Sequence, residues 1–120
     1  MIETTVRDNV IVNVASVGTT MHEVQEYIYA HVEEWRRHNV CWILDNLDFL
    51  SLNSATMRLI VIGFAQRVNP RVGLKTALIA KRDLGFGMLR MLEIMAYERI
   101  DLDIRVFRTM AEAMPWLKTR

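Results

Sequence analysis

One cysteine, Cys41, stands in the 120 residues, so no internal disulfide can form and the fold must be held by its own core. Its neighbours Val40, Trp42, Ile43 and Leu44 are apolar. That setting reads as an inert thiol on a buried strand, because reactive thiols need an electropositive, accessible environment. Proline (2) and glycine (5) are scarce, and no Pro/Gly-rich linker, repeat or low-complexity tract divides the chain. Charge of one sign is missing too. Fifteen basic residues face 14 acidic ones, a formal net of +1, which leaves no overall field toward nucleic acid or an anionic membrane. No apolar run approaches the roughly 20 residues of a membrane span, and the opening MIETTVRDN lacks the basic and apolar regions of a signal peptide. These absences predict a cytoplasmic protein with no nucleic-acid partner and no membrane span.

What is present is core-forming material. With 52% hydrophobic residues, the chain can bury one sizeable core, and its length suits a single domain covering residues 1–120. IETTVR and VIVNVASV are rich in β-branched residues and separated by Asp8-Asn9, a turn dipeptide that predicts an opening hairpin. Gly18 closes the second strand. Thr19 or Thr20 then stands at a helix N-cap, with Glu23 placed to complete a capping box from Thr20. At about 100° per residue, Met21, Val24, Ile28, Val32 and Trp35 share one stripe while Glu26, Glu33, Arg36 and Arg37 face away. This predicts an amphipathic helix to about His38.

VCWIL, bounded by Asp45-Asn46, suits a strand buried on both faces. A helix is expected from about Asn53 to Val68, stopped by Asn69-Pro70. The strand LKTALIA (Leu74 to Ala80) follows, then a helix from about Leu84 to Tyr97, with Asp83 as its N-cap. The strand DIRVF and a last helix from about Met110 to Leu117 complete the chain, Thr109 and Glu112 repeating the capping box. The order is ββαβαβαβα, an α/β fold. Strands alternating with helices imply parallel pairing through right-handed crossovers, so a mixed sheet with an antiparallel hairpin at one side is expected.

Three segments carry a likeness: WILDNLDFLSLNSATM after the third strand, DLGFGMLRMLE opening the third helix, and IRVFRTMAEAMPWL at the end. With the opening hairpin they resemble the STAS domains, specifically the SpoIIAA-like branch of the STAS/SEC14-like superfamily, which is populated by small bacterial proteins. The resemblance covers nearly the whole chain and implies a SpoIIAA-like mixed sheet. It also implies a non-enzymatic regulatory or adaptor role, with no cofactor. In the related anti-sigma-factor antagonists a D-S-S-G loop before the second long helix carries a regulatory phosphoserine. Asn53, Ser54, Ala55 and Thr56 occupy those positions here, so an alanine stands at the acceptor. Ser51, Asn53, Ser54 and Thr56 are the candidate regulatory loop residues, and helix capping by Ser51, Asn53 or Ser54 is the plainer explanation of the same cluster.

A second set of candidates lies at the carboxyl ends of the parallel strands, where open α/β sheets bind ligands. Asp45 and Asp48 follow the third strand; Lys81, Arg82 and Asp83 follow the fourth, and Gly85 and Gly87 could leave backbone amides free for an anion. The spacing is not that of a dinucleotide or phosphate-binding loop. His31, Glu34 and His38 share a helix side without making a convincing metal set, and no metal is expected.

A third set concerns apolar outer surfaces. On the second helix Met57, Ile60, Val61, Phe64 and Val68 make the core stripe, while Leu59 and Ile62 project elsewhere. On the third, Leu84, Met88, Met91, Leu92 and Met95 form the expected inner stripe, and Phe86, Leu89 and Tyr97 join Arg90 and Glu93 outside it. Leu59, Ile62, Phe86, Leu89, Arg90 and Tyr97 are therefore the expected interface of a homodimer. A lipid or another protein partner is the alternative occupant of these faces, and the alternative function is a carrier or sensor of a small apolar, lipid-like ligand held between sheet and helices.

Overall fold

The computed structural model describes residues 1–67, 74–99 and 103–119. Among these, β1 (Ile2–Arg7), β2 (Val10–Ala15), α1 (Met21–His31), β3 (Asn39–Ile43), α2 (Ser54–Arg67), β4 (Lys75–Ile79), α3 (Asp83–Tyr97), β5 (Asp103–Phe107) and α4 (Met110–Lys118) follow the expected ββαβαβαβα order. The sheet order is β1-β2-β3-β4-β5. β1 and β2 are antiparallel, and every later neighbour is parallel. The hairpin turns on Asp8 and Asn9, both at positive φ (52° and 64°). Short polar side chains tolerate that conformation, and its twist matches the flanking strands.

From β2 to β5 the strands are added in one direction. A right-handed crossover at each step sets α1, α2 and α3 on the same face, and α4, following the last strand, covers the other. Alternation along the strands divides the core accordingly. Ile11, Val40, Trp42 and Leu78 pack with Met21, Val24, Ile60 and Leu89 on the three-helix face. Val10, Val12, Cys41, Ala77 and Ile79 pack with Ala113 and Leu117 of α4 on the other. β3 is therefore buried on both faces, as its apolar run requires.

Three expectations are corrected. α1 ends at His31, and residues 32–37 continue as turns with shorter bonds, such as His38 N to Trp35 O at 3.1 Å. Trp35 stays buried, so the helical period outlasts the helix. The residue preceding α3 is Arg82, without a side-chain cap, and Asp83 is already helical. The α3 stripe is rotated from the expected one. Leu89 is 0% exposed, with Gly85 and Ala96 beside it, whereas Leu84 and Met91 lie outside. Val68 and the Asn69-Pro70 stop lie outside the described residues.

Candidate functional site

The segment joining β3 to α2 is tied to the rest of the fold by two backbone bonds and braced by two turns of its own. Leu44 N donates to Ile79 O (2.8 Å), Leu47 N to Leu44 O (3.1 Å), Asp48 N to Thr19 O (3.1 Å) and Leu52 N to Phe49 O (3.1 Å). Leu47 and Phe49 are driven inward as anchors, which throws Leu50 outward at 87% exposure. Asn53 then starts α2: its Oδ1 accepts the Thr56 amide at 2.9 Å, relieving one of the unpaired first-turn donors. Asn53 thus caps α2. Ser51 Oγ donates instead to Asp48 O (3.2 Å), and Ser54, the first helical residue, is exposed.

Opposite this loop is the β4–α3 junction. Asp45 Oδ1 accepts the Lys81 amide at 2.7 Å, clamping the end of β4 to the end of β3. The junction is held from β5 by Arg108, which the sequence reading missed. Its Nη1 donates to Lys81 O (3.1 Å) and Asp83 Oδ1 (2.8 Å), and its guanidinium lies 4.3 Å above the Phe86 ring. The adjacent RVFR run was the available signal, but nothing local indicates that this arginine reaches back to the preceding helix.

Between loop and junction lies a cleft of about 240 Å³. Ala80, Gly85, Leu47 and Phe49 contribute its apolar lining, and Asp45, Asp48 and Arg82 its polar groups. Leu50 and Leu84, the latter 52% exposed, are its most exposed apolar residues. Of the expected polar cluster, Asp45, Asp48 and Arg82 thus meet in one cleft, while Lys81 and Asp83 act at its back as the groups that Arg108 holds. The glycines do not open an anion loop. Gly85 and Gly87 are inside α3, where Phe86 N already donates to Arg82 O (2.9 Å).

Among the described residues no three His, Cys, Asp or Glu side chains come together as a metal set. His31 Nδ1 is engaged by Tyr27 O (2.8 Å) and His38 Nδ1 by Asn9 O (3.1 Å). No described helix is long and apolar enough to cross a membrane. The expected interface set divides. Leu59 and Tyr97 are exposed and Ile62 half-buried, Leu89 is internal, and Phe86 is partly buried against the core. Arg90 is exposed and paired with Glu93. Leu84, Met91 and Ile94 are further exposed apolar residues of α3 beside Tyr97, recurring at i, i+7 and i+10 along one side of the helix.

A second cavity, of about 90 Å³, lies under the three-helix face. It is lined by Met21, Val24, Trp35, Trp42, Leu92 and other apolar side chains, with Thr76.

A five-stranded mixed sheet with three helices on one face and one on the other defines a STAS-type, SpoIIAA-like fold. The chain is similar over its length to the crystal structure of a candidate anti-sigma factor antagonist from Thermotoga maritima. The TM-score is 0.61 at 15% sequence identity, covering 98% of this chain and 95% of that one. No protein-family model matches the chain, and no curated protein does.

Proposed function

We propose that this chain is a non-enzymatic regulatory or adaptor module of the STAS type, working in the cytoplasm and binding a protein partner at the strand-end cleft. The observation that carries this is Leu50. A large apolar side chain is held almost fully in water on a loop whose backbone is tied to β4 and to the β2–α1 junction, with Leu84 exposed on the same cleft. Exposed apolar side chains grouped around a concave site with a few polar groups mark a binding surface. Met91 and Ile94 extend it along α3. The name borne by the Thermotoga protein, an antagonist of another protein factor, agrees with a protein partner.

Affinity capture with the wild type and with Leu50→Glu/Leu84→Glu tests the reading. Retention of the partner should fall about tenfold or more, the usual scale for losing buried anchors, with circular dichroism unchanged. Equal retention by both proteins would sink it.

The apolar cavity favours a second reading, a carrier or sensor of a small apolar molecule. At about 90 Å³ it is smaller than the roughly 150 Å³ cavity that admits benzene, so a lipid-sized ligand requires the helices to move off the sheet. Native mass spectrometry would reveal such a ligand as added mass on the folded protein; a bare chain removes this reading.

A further inference from the structure

The two edges of the sheet are built differently. On β5 the Val106 amide is taken by Glu93 Oε1 of α3 at 3.2 Å, and the same carboxylate is paired with Arg90. One outward amide of that edge is thus capped by a side chain. β1, at the other edge, pairs only with β2 among the described residues. Its six residues run in unbroken register from Ile2↔Ala15 to Arg7↔Val10, with no proline or bulge of the kind that protects an edge from other strands.

The phase of the hairpin decides what this edge offers. A two-residue turn makes its flanking residues, Arg7 and Val10, a hydrogen-bonded pair. The bond from Ser16 N to Met1 O (2.9 Å) keeps the same phase at the far end. The backbone groups of Glu3, Thr5 and Arg7 are thus turned toward β2, and those of Ile2, Thr4 and Val6 point out of the sheet. The side chains of Glu3, Thr5 and Arg7 lie together on one face, beside Val14, Val12 and Val10. Glu3 and Arg7 are exposed, and among the described residues neither has an ion-pair partner.

We propose that β1 pairs antiparallel with β1 of a second copy of this chain, about a two-fold axis at Thr5, so that two sheets become one. Charge selects both the occupant and the register. Centred on Thr5, the pairing sets Glu3 opposite the partner's Arg7 and Arg7 opposite the partner's Glu3. Both are non-hydrogen-bonded pairs, in which side chains approach most closely. Thr4 and Val6 exchange the backbone bonds. The neighbouring centres fail this test: on Thr4, Glu3 would face Thr5, and on Val6 it would face Asn9. The contact is isologous, as a two-fold dimer requires, and it leaves the α2 and α3 surfaces and the strand-end cleft free. This proposal does not rest on the reading of that cleft.

Sedimentation velocity with single and paired charge reversals, together with cross-linking, tests it. The wild type should dimerise weakly, as expected for so small a contact. Glu3→Arg brings like charges into apposition and should raise the dimer Kd about tenfold or more; adding Arg7→Glu should restore it. Thr5→Cys stands opposite itself across the axis, at the roughly 4.5 Å Cα separation that a disulfide accepts. It should therefore yield a covalent dimer under mild oxidation, while Cys41 stays buried. A monomeric wild type, a dimer indifferent to Glu3→Arg, or a Thr5→Cys protein that dimerises without cross-linking would each overturn the proposal.

Discussion

The ring of Phe49 fills the space where Gly85 lacks a side chain: a Cβ built there would stand 2.6 Å from Phe49 Cε2 and 3.1 Å from Ala80 Cβ. The loop leading to α2 and the first turn of α3 are thereby locked at the base of the cleft. Gly85→Ala should destabilise by about 1 to 3 kcal/mol through overpacking, less what a better helix former returns. Gly87→Ala meets nothing within 4 Å and should stabilise by about 0.5 to 1 kcal/mol. Urea denaturation of the two variants should therefore move in opposite directions.

Asn53 and Ser54 are adjacent, but only Asn53 accepts a first-turn amide. Asn53→Ala should cost about 0.5 to 2 kcal/mol, whereas Ser54→Ala should stay within about 0.5 kcal/mol of wild type. Equal losses in chemical denaturation would show that the cap is shared.

Burial pushes the Cys41 thiol from its ordinary 9.0 up to about 12, and its Sγ lies 3.3 Å from Met110 Sδ. The native protein should resist alkylation at pH 8 and react at once when unfolded. The raised value means that the fold holds a proton the unfolded chain has released. This contribution is whole below pH 9 and declines as pH rises from about 9 to 12. Stability measured across that range should fall; a Cys41→Ala variant, lacking the thiol, should lose less over the same interval.

Glu93 offers a test of the capped amide on β5. Glu93→Ala leaves the Val106 amide without its acceptor and should cost about 1 to 3 kcal/mol. Glu93→Gln keeps an acceptor and should cost less. Hydrogen exchange at Val106 should be faster in the alanine variant, and unchanged exchange would mean that α3 shields the amide by burial alone.

Features encoded within a few residues are legible in the sequence. Asp8-Asn9 turns the hairpin, and the Thr20 and Thr109 hydroxyls accept the amides of Glu23 and Glu112 at 3.2 Å. Each rests on a side chain and a backbone group no more than three positions apart. The alternation of strand and helix was legible for a similar reason, since hydrophobic period depends only on local geometry. From that order, crossover handedness then determines where the helices go.

The orientation of α3 was not legible. Leu84, Phe86, Met88, Leu89, Met91, Leu92, Ile94 and Met95 surround the helix, so no side is polar enough to mark the outside. Leu89 is turned inward by contacts from distant parts of the chain: Phe49 against Gly85, Arg108 over Phe86 and Glu93 on β5. The cleft is likewise a tertiary product. Asp45, Asp48 and Arg82 were recognisable as polar groups at strand ends, but nothing in the local sequence sets Leu50 apart from Leu47, Phe49 and Leu52. Leu50 faces water because Leu47 and Phe49 occupy the interior and four backbone bonds fix the loop between them. The elements and their order were readable from the chain, because short-range stereochemistry and crossover handedness govern both. Which apolar side chains stay exposed was settled by long-range packing, because it depends on which competing residues fill the core.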